Sequence, residues 1–285
     1  MKLGETIELV RKGKGISIKD VIGNQISRSA YYRFVNDEAD TSTSNLNYLL
    51  DTLNISLEEL GNLGYSGENV DLQQISYQIK DAFEGKNVEK LQQIKKLYRG
   101  NEFFTSKEHH LFCLADILIR RLENKKIDIY ENDLYQYLIS IESWTHYEIV
   151  LYNNIMYAFP PEVNKLILEK AIIGMKEYSL KTRYKNELFR LLANSVILFL
   201  FSNDIKEAWK YVLKMNEVSL TEDAIFERIM KVIINGIVEK ILDPSLENNE
   251  VSDAITVFEM YGSTNTSAMN RNLVENIEKM YQIKF

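Results

Sequence analysis

The sequence predicts an all-α protein in which a small N-terminal helical domain precedes a longer array of helical hairpins. Its 285 residues include only three prolines and twelve glycines, whereas residues that favour helices are abundant. Beyond residue 70, apolar residues recur at helical spacing in paired segments, and the starts recur roughly every 40 residues, the period of helix-hairpin solenoids. These patterns divide the chain into a domain at 1–65, a linker at 66–70 and an array at 71–285.

The stretch 17–36 has the pattern of two short helices joined by a tight turn. Ser17 can cap the first helix, and Gly23 and Asn24 tolerate the left-handed backbone angles that end it. Ser27 can cap the second helix. The side chains that we expect to face the core are Ile18, Val21, Ile26, Ala30 and Phe34. This pattern is typical of a helix-turn-helix, whose second helix enters the major groove of DNA.

Amphipathic segments on both sides complete a domain of five helices. The segment Leu3–Lys14 precedes the helix-turn-helix, and apolar segments at 46–53 and 55–60 follow it. In the first segment we expect one face to point inward and a basic face to point outward. The inward residues are Ile7, Leu9 and Val10, and the outward residues are Arg11, Lys12 and Lys14.

The charge is distributed unevenly along the chain. Residues 1–36 hold seven basic and three acidic side chains, a net charge of +4, so residues 37–285 carry −11 of the total of −7. Contacts to phosphate dominate the affinity for nucleic acid. The basic segment 1–36 is therefore predicted to carry the DNA-binding surface, rather than the acidic remainder of the chain. The acidic remainder argues against a second nucleic-acid site.

The N-terminal domain resembles that of the Rgg/GadR/MutR regulators, a Gram-positive family with an Xre-type helix-turn-helix. The resemblance is carried by Gly4, the run Arg11–Lys14, Ser27, Ser29, Arg33, Phe34, Glu38 and the block Leu49–Ile55. The predicted DNA contacts are Arg11, Lys12, Lys14, Ser27, Arg28, Ser29, Tyr31, Tyr32 and Arg33. Ala30 departs from the family, which often has a glutamine there that can read adenine with two bonds. The operator sequence therefore does not carry over.

The array is predicted to be a right-handed, tetratricopeptide-like solenoid. Its expected helices are 71–84 with 87–99, 107–124 with 131–142, 146–158 with 161–178, 182–201 with 204–217, 221–241 with 249–261, and a last helix at 267–282. Second members follow capping residues at Asn87, Asn132, Asn203-Asp204 and Asn249. The resemblance implies that this region binds short signalling peptides. It also implies that the protein is a homodimer, with contacts expected in the last pair and the last helix.

Three helices of the array end in an asparagine at nearly constant spacing. Asn154, Asn194 and Asn235 are 40 and 41 residues apart, and Tyr147, Glu187 and Arg228 stand seven residues before them. An asparagine amide donates and accepts, so such a row can hold the backbone of an extended peptide. The predicted peptide contacts are Tyr147, Asn153, Asn154, Tyr184, Glu187, Asn194, Arg228 and Asn235. Alternatively, the asparagines bond neighbouring helices, and Arg228 pairs with Glu187 rather than with a ligand carboxylate.

The remaining titratable side chains predict little chemistry. His146 is expected beside the peptide-binding face, near Glu187 and Tyr184. Two roles are compatible with this position, a pH-sensitive contact and a purely structural one. Cys113 is the only cysteine and is expected to be buried and inert. His109 and His110 are adjacent and point to different helix faces, so we predict no metal site and no cofactor.

These features together predict a cytoplasmic transcription regulator. The sequence contains no Gly-x-Gly-x-x-Gly stretch, phosphate loop, His-Glu-x-x-His or Gly-x-Ser-x-Gly, so an enzyme is not expected. No signal peptide is recognisable, and the longest apolar run, Val196–Phe201, is too short to span a membrane. The expected partners are double-stranded promoter DNA, a short peptide and a second copy of the chain. Two alternatives stay open: a regulator whose solenoid binds a protein, and a repeat adaptor that does not bind DNA.

Overall fold

A computed structural model describes residues 2–63, 72–99, 105–178, 182–247 and 249–285. All regular structure in these ranges is helical, which confirms the predicted all-α class. The chain divides into two compact units, Met1–Ile75 and Ser76–Phe285. The predicted linker at 66–70 lies outside the described residues. No helix among the described residues is long and apolar enough to cross a membrane.

The first unit contains five short helices whose beginnings are set by side-chain caps. They are α1 (Leu3–Gly13), α2 (Ile18–Ile22), α3 (Arg28–Val35), α4 (Thr43–Leu53) and α5 (Leu57–Asn62). The hydroxyls of Ser17, Ser27, Ser42 and Ser56 each accept a hydrogen bond from the backbone N–H three residues later. Each cap satisfies a donor that the helix itself leaves free.

The core of the first unit corrects two sequence predictions. Leu9 is 53% exposed, and Ala30 is exposed rather than buried. On α3 the buried positions are Tyr31, Phe34 and Val35, which form one stripe at helical spacing. Ala30 lies one residue, and therefore about 100° of helix rotation, away from Tyr31. The larger tyrosine ring takes the inward position.

Gly4 allows α1 to lie directly against the end of α3. A Cβ at this position would lie 2.1 Å from the carbonyl oxygen of Phe34 and 2.8 Å from Cα of Val35. Both are backbone atoms, which cannot rotate away as a side chain can. The absence of a side chain at Gly4 therefore sets how closely the helix-turn-helix packs.

The second unit is an array of helical hairpins. Its helices are α6 (Leu72–Glu84), α7 (Val88–Leu97), α8 (Lys107–Leu122), α9 (Asp133–Ser140), α10 (His146–Ile155), α11 (Pro161–Tyr178), α12 (Thr182–Phe201), α13 (Ile205–Asn216), α14 (Ile225–Leu242), α15 (Glu250–Met260) and α16 (Thr264–Tyr281). A short 3-10 turn, Met156–Ala158, follows α10. Every predicted helix of the array is present, with differences of a few residues at the ends.

Ion pairs and caps hold the hairpins together. Arg190 on α12 pairs with Glu227 on α14, whose side chain is only 3% exposed, and so joins the first helices of two successive hairpins. Asn87 and Asn132 cap the helices that follow them, as predicted. The cap of α13 is Asp204, whereas Asn249 makes no side-chain cap bond.

Candidate functional site

The outer face of α3 presents a compact group of polar and basic side chains. Arg28, Ser29 and Arg33 are exposed, and Tyr32 is 40% exposed. The guanidinium of Arg28 lies 5.9 Å from the centre of the Tyr32 ring, a cation–π distance that orients both groups. The Ser27 hydroxyl accepts from the N–H of Ala30, so it is already used as the helix cap.

Tyr31 lies on the inner face of the same helix, which corrects its prediction as a DNA contact. Its side chain is 1% exposed, and its hydroxyl donates to Oε2 of Glu8 at 2.7 Å. Arg11 binds the same carboxylate through two hydrogen bonds of 2.7 and 2.8 Å. Its side chain is only 11% exposed, so Arg11 is also part of the framework. Both residues hold α3 against α1 rather than face solvent.

This partly buried network shifts the pKa values of its members. The two hydrogen bonds from Arg11, together with the bond from Tyr31, lower the pKa of Glu8 to about 2 despite partial burial. Burial, and then the contact with Glu8, raises the pKa of Tyr31. Glu8 is therefore ionised at neutral pH, where it pairs with Arg11.

The two lysines of the basic run differ in their surroundings. The ammonium of Lys14 donates to the carbonyl of Leu53 at 2.6 Å, at the C-terminal end of α4. A cation there stabilises the free carbonyls of the last turn. Lys12 is 68% exposed and lies 3.4 Å from Glu8. Lys14 is exposed, but its ammonium is bound to this carbonyl. Among the basic side chains predicted to contact DNA, Lys12, Arg28 and Arg33 thus present their charged groups to solvent.

In the second unit, asparagines on successive hairpins contact one another. Nδ2 of Asn194 on α12 donates to Oδ1 of Asn153 on α10 at 3.0 Å. Asn235 on α14 exchanges two hydrogen bonds with Asn216, at 3.0 and 3.1 Å. By contrast, Asn154 donates to the carbonyl of Val150 in its own helix. The amide row therefore runs through Asn153, and Asn154 is displaced from it.

A second row follows the same register. His146, Glu187 and Arg228 are each 41 residues apart, as are Asn153, Asn194 and Asn235. Nε2 of His146 contacts Oε2 of Glu187, and the His146 ring meets the ring of Tyr184 edge-on at 5.0 Å. The proximity of His146, Glu187 and Tyr184 agrees with the sequence prediction. The equal spacing of 41 is the signal that would have placed His146, rather than Tyr147, in this row.

Tyr147 points the other way, toward the preceding hairpin. Its hydroxyl lies 2.8 Å from Nδ1 of His110, which is fully buried. Burial raises the pKa of Tyr147. The prediction that Tyr147 shares a ligand-facing row with Glu187 and Arg228 is therefore wrong, because its side chain packs between α10 and α8.

A groove of about 500 Å³ runs along α14 at the end of the two rows. Its walls carry three groups with hydrogen-bond donors, Arg228, Lys231 and Asn235, together with apolar and acidic side chains. The other lining residues are Val218, Leu220, Val232, Gly236, Glu239 and Glu250. Glu187 contacts His146 in the described structure, and Arg228 is exposed in this groove. Asn216, which sequence reasoning missed, holds the amide of Asn235 at the edge of the groove.

Solved structures with this fold cover nearly the whole chain. A putative transcriptional regulator from Listeria monocytogenes EGD-e matches with a TM-score of 0.83 at 18% identity, over 99% of both chains. The Streptococcus dysgalactiae SHP pheromone receptor Rgg2 matches with a TM-score of 0.75 at 19% identity, over 96% of this chain and 99% of that one. PrgX in complex with cCF10 matches with a TM-score of 0.73 at 16% identity, over 99% and 94%.

Sequence comparison identifies the family directly. The family model described as the C-terminal domain of the HTH-type transcriptional regulator Rgg matches residues 89–271, which is more than half of the chain. The matched range contains both 41-residue rows and the groove on α14. The chain therefore belongs to the Rgg family of helix-turn-helix-type transcriptional regulators.

Proposed function

We propose that this chain is a cytoplasmic, DNA-binding transcription regulator whose repeat domain binds a short peptide, and that the peptide alters DNA binding. The observation that carries the proposal is the pair of rows in 41-residue register, which place an amide and a polar or charged group on each of three successive hairpins. Support also comes from Rgg2, which is described as a pheromone receptor, and from PrgX, whose structure holds cCF10. The proposal assigns no enzymatic activity.

The peptide would bind along the amide row. Each asparagine amide offers two donor hydrogens and an acceptor oxygen, and the contacts between amides use only part of this capacity. The 3.0 Å bond between Asn153 and Asn194 orients both groups in advance, which lowers the entropic cost of binding. Arg228 is exposed in the groove at the end of the row and suits a peptide carboxylate, with which a guanidinium forms two parallel bonds.

Two adjacent asparagines provide a matched test of the peptide site. We expect Asn153→Ala to weaken binding of a labelled peptide, because it removes an amide of the row and the orientation of Asn194. Asn154→Ala should bind as the wild type does, because the side chain of Asn154 is hydrogen-bonded within its own helix. Fluorescence anisotropy with short synthetic peptides encoded beside the gene measures both. Equal affinities for the two variants would contradict the assigned row.

DNA would bind at the outer face of α3. Arg28, Ser29, Tyr32 and Arg33 are exposed there, and Lys12 adds charge from α1. We expect the double variant Arg28→Ala/Arg33→Ala to lose affinity for a duplex taken from upstream of the gene. The dependence of binding on salt should also fall by about two ion equivalents.

A charge-matched control separates specific contacts from net charge. Lys125→Ala/Lys126→Ala removes the same charge from exposed positions in the second unit, and this variant should keep the wild-type salt dependence. Equal losses in the two double variants would contradict the proposed face. Retained DNA binding without any response to peptide would instead favour a protein partner on the repeats.

A homodimer would present two copies of this face to half-sites about one helical turn apart. Large apolar side chains are exposed on the last two helices and the turn between them: Met260 is 79% exposed, Tyr261 81% and Met269 52%. Exposed apolar groups of this size favour a contact surface. Sedimentation of the wild type beside Met260→Lys/Tyr261→Lys tests this, and unchanged self-association would contradict it.

A further inference from the structure

Three side chains with metal-binding donor atoms meet where α8 faces the beginning of α9. Nε2 of His109, Sγ of Cys113 and a carboxylate oxygen of Asp133 all lie within 4.8 Å of one another. His109 and Cys113 are four residues apart on α8, so they share one face of the helix. The turn between the two helices brings Asp133 to the same point from 24 residues further along the chain.

The separations between these atoms are close to those required by a tetrahedral zinc ion. Zinc bonds of about 2.0–2.3 Å to nitrogen, sulfur and oxygen place neighbouring ligand atoms about 3.3–3.6 Å apart. Sγ of Cys113 lies 3.6 Å from Nε2 of His109, and Oδ2 of Asp133 lies 2.8 Å from the same nitrogen. The distance between Oδ2 of Asp133 and Nε2 of His109 must therefore increase by less than about 1 Å, and rotation of the Asp133 side chain can supply this shift.

We propose that His109, Cys113 and Asp133 form a zinc-binding site in the second unit. Imidazole, thiolate and carboxylate together are the ligands of a borderline ion such as Zn²⁺, whereas Mg²⁺ and Ca²⁺ prefer oxygen alone. Three protein ligands leave a fourth position for water or for a group from a ligand.

The surroundings of the three side chains suit a metal that enters from solvent. The Asp133 side chain is 54% exposed and His109 is 16% exposed, while Cys113 forms the buried floor at 5%. On binding, the thiol of Cys113 releases its proton to solvent and the sulfur forms a bond to Zn²⁺. The imidazole of His109 binds in the neutral form with its proton on Nδ1, so the proton between Nε2 and Asp133 moves through solvent, and both Nε2 and the carboxylate bind the metal.

The ion would fasten the α8–α9 hairpin close to the proposed peptide site. His110, the residue after His109, lies on the inner face of α8 and contacts the hydroxyl of Tyr147 at the start of α10. Zinc at the neighbouring position would fix the rotation of α8 about its axis. The ion would thereby stabilise the helix against which α10 packs, and α10 carries Asn153, the first residue of the amide row.

Metal titration of the tag-free, full-length protein tests this site. We expect one Zn²⁺ per chain in competition with a chromophoric chelator. Cys113→Ser and Asp133→Asn should each weaken the affinity at least about 10-fold. The control is Asp128→Asn, which removes the same charge from an exposed position in the connection between α8 and α9 and should bind as the wild type does.

Cobalt identifies the sulfur ligand independently of affinity. Co²⁺ in the wild type should give a near-ultraviolet charge-transfer absorption, and Cys113→Ser should abolish it, because Cys113 is the only thiol in the chain. Circular dichroism confirms that each variant is folded, and Asp133→Asn changes an exposed residue. The proposal is overturned if the wild type takes up no stoichiometric zinc at micromolar concentrations, or if Cys113→Ser or Asp133→Asn binds zinc as tightly as the wild type does.

Discussion

Two adjacent tyrosines on α3 allow the framework of the first unit to be tested apart from its exposed face. Tyr31→Phe removes one hydroxyl that donates to the ionised carboxylate of Glu8 at 2.7 Å. Hydrogen bonds to a charged group contribute about 1.5–3 kcal/mol. Glu8 keeps its two bonds from Arg11, so we expect a loss near the lower end, about 1.5–2 kcal/mol. Tyr32→Phe removes the same atom from an exposed ring and should change stability little.

The assay must report on the first unit alone. Trp144 and Trp209 both lie in the second unit, so tryptophan fluorescence reports unfolding of that unit only. Hydrogen exchange resolved by mass spectrometry on peptides from α1 and α3 measures opening of the first unit directly. The expected loss corresponds to exchange that is about 10- to 30-fold faster in Tyr31→Phe, with Tyr32→Phe close to the wild type.

The same two variants show whether the Tyr31 hydroxyl positions α3 through Glu8 or contacts DNA directly. Under conditions in which both are folded, Tyr31→Phe should bind DNA as the wild type does, because its hydroxyl faces Glu8. The reasoning is refuted if Tyr31→Phe exchanges no faster than Tyr32→Phe. It is also refuted if Tyr31→Phe loses DNA affinity while its exchange is unchanged, since that result would place its hydroxyl on DNA.

Three further outcomes follow from particular side chains. Gly4→Ala should destabilise the first unit by about 1–3 kcal/mol, measured by hydrogen exchange of peptides from α1 and α3, because its Cβ would meet the Phe34 carbonyl. Gly13→Ala on the same helix has open space and should be neutral or stabilising. The Glu8 carboxylate contributes stability above its ordinary pKa of 4.5 that is lost as the pH falls toward 2. Hydrogen exchange of peptides from α1 and α3, corrected for its intrinsic pH dependence, should show that the wild type loses up to ~3 kcal/mol more than Glu8→Gln over this range. Burial raises the pKa of Cys113 to about 12, so in metal-free protein a thiol reagent should label it slowly until denaturant is added, and rapid native labelling would contradict its burial.

Local signals in the sequence predicted the helices well. Serine and asparagine caps, few prolines and regular apolar spacing are short-range features, and the structure has each predicted helix within a few residues of its expected ends. Tyr31 was misassigned because a tyrosine suits either a core or a surface. Its partner, Glu8, stands 23 residues earlier, and the spacing of apolar residues within α3 carries no information about that contact.

The register of the repeats could not be predicted from the sequence alone. Asn153 and Asn154 are neighbours, so both fit an approximate repeat, and the contact with Asn194 on the next hairpin selects Asn153. The groove on α14 depends in the same way on contacts between helices, such as that between Asn216 and Asn235. The group of His109, Cys113 and Asp133 has no signature in the sequence, because Asp133 stands 24 residues beyond His109 and reaches it only through the packing of α9 against α8.

The central claim is that peptide held on the asparagine row changes DNA binding at α3. The most direct measurement is fluorescence anisotropy of the full-length protein on an upstream duplex, with and without the synthetic peptides, in the wild type, Asn153→Ala and Asn154→Ala. The account predicts that peptide shifts the DNA affinity of the wild type and of Asn154→Ala, and that Asn153→Ala binds DNA with a much weaker response. DNA affinity that is indifferent to peptide in the wild type, or a full response in Asn153→Ala, would contradict the account.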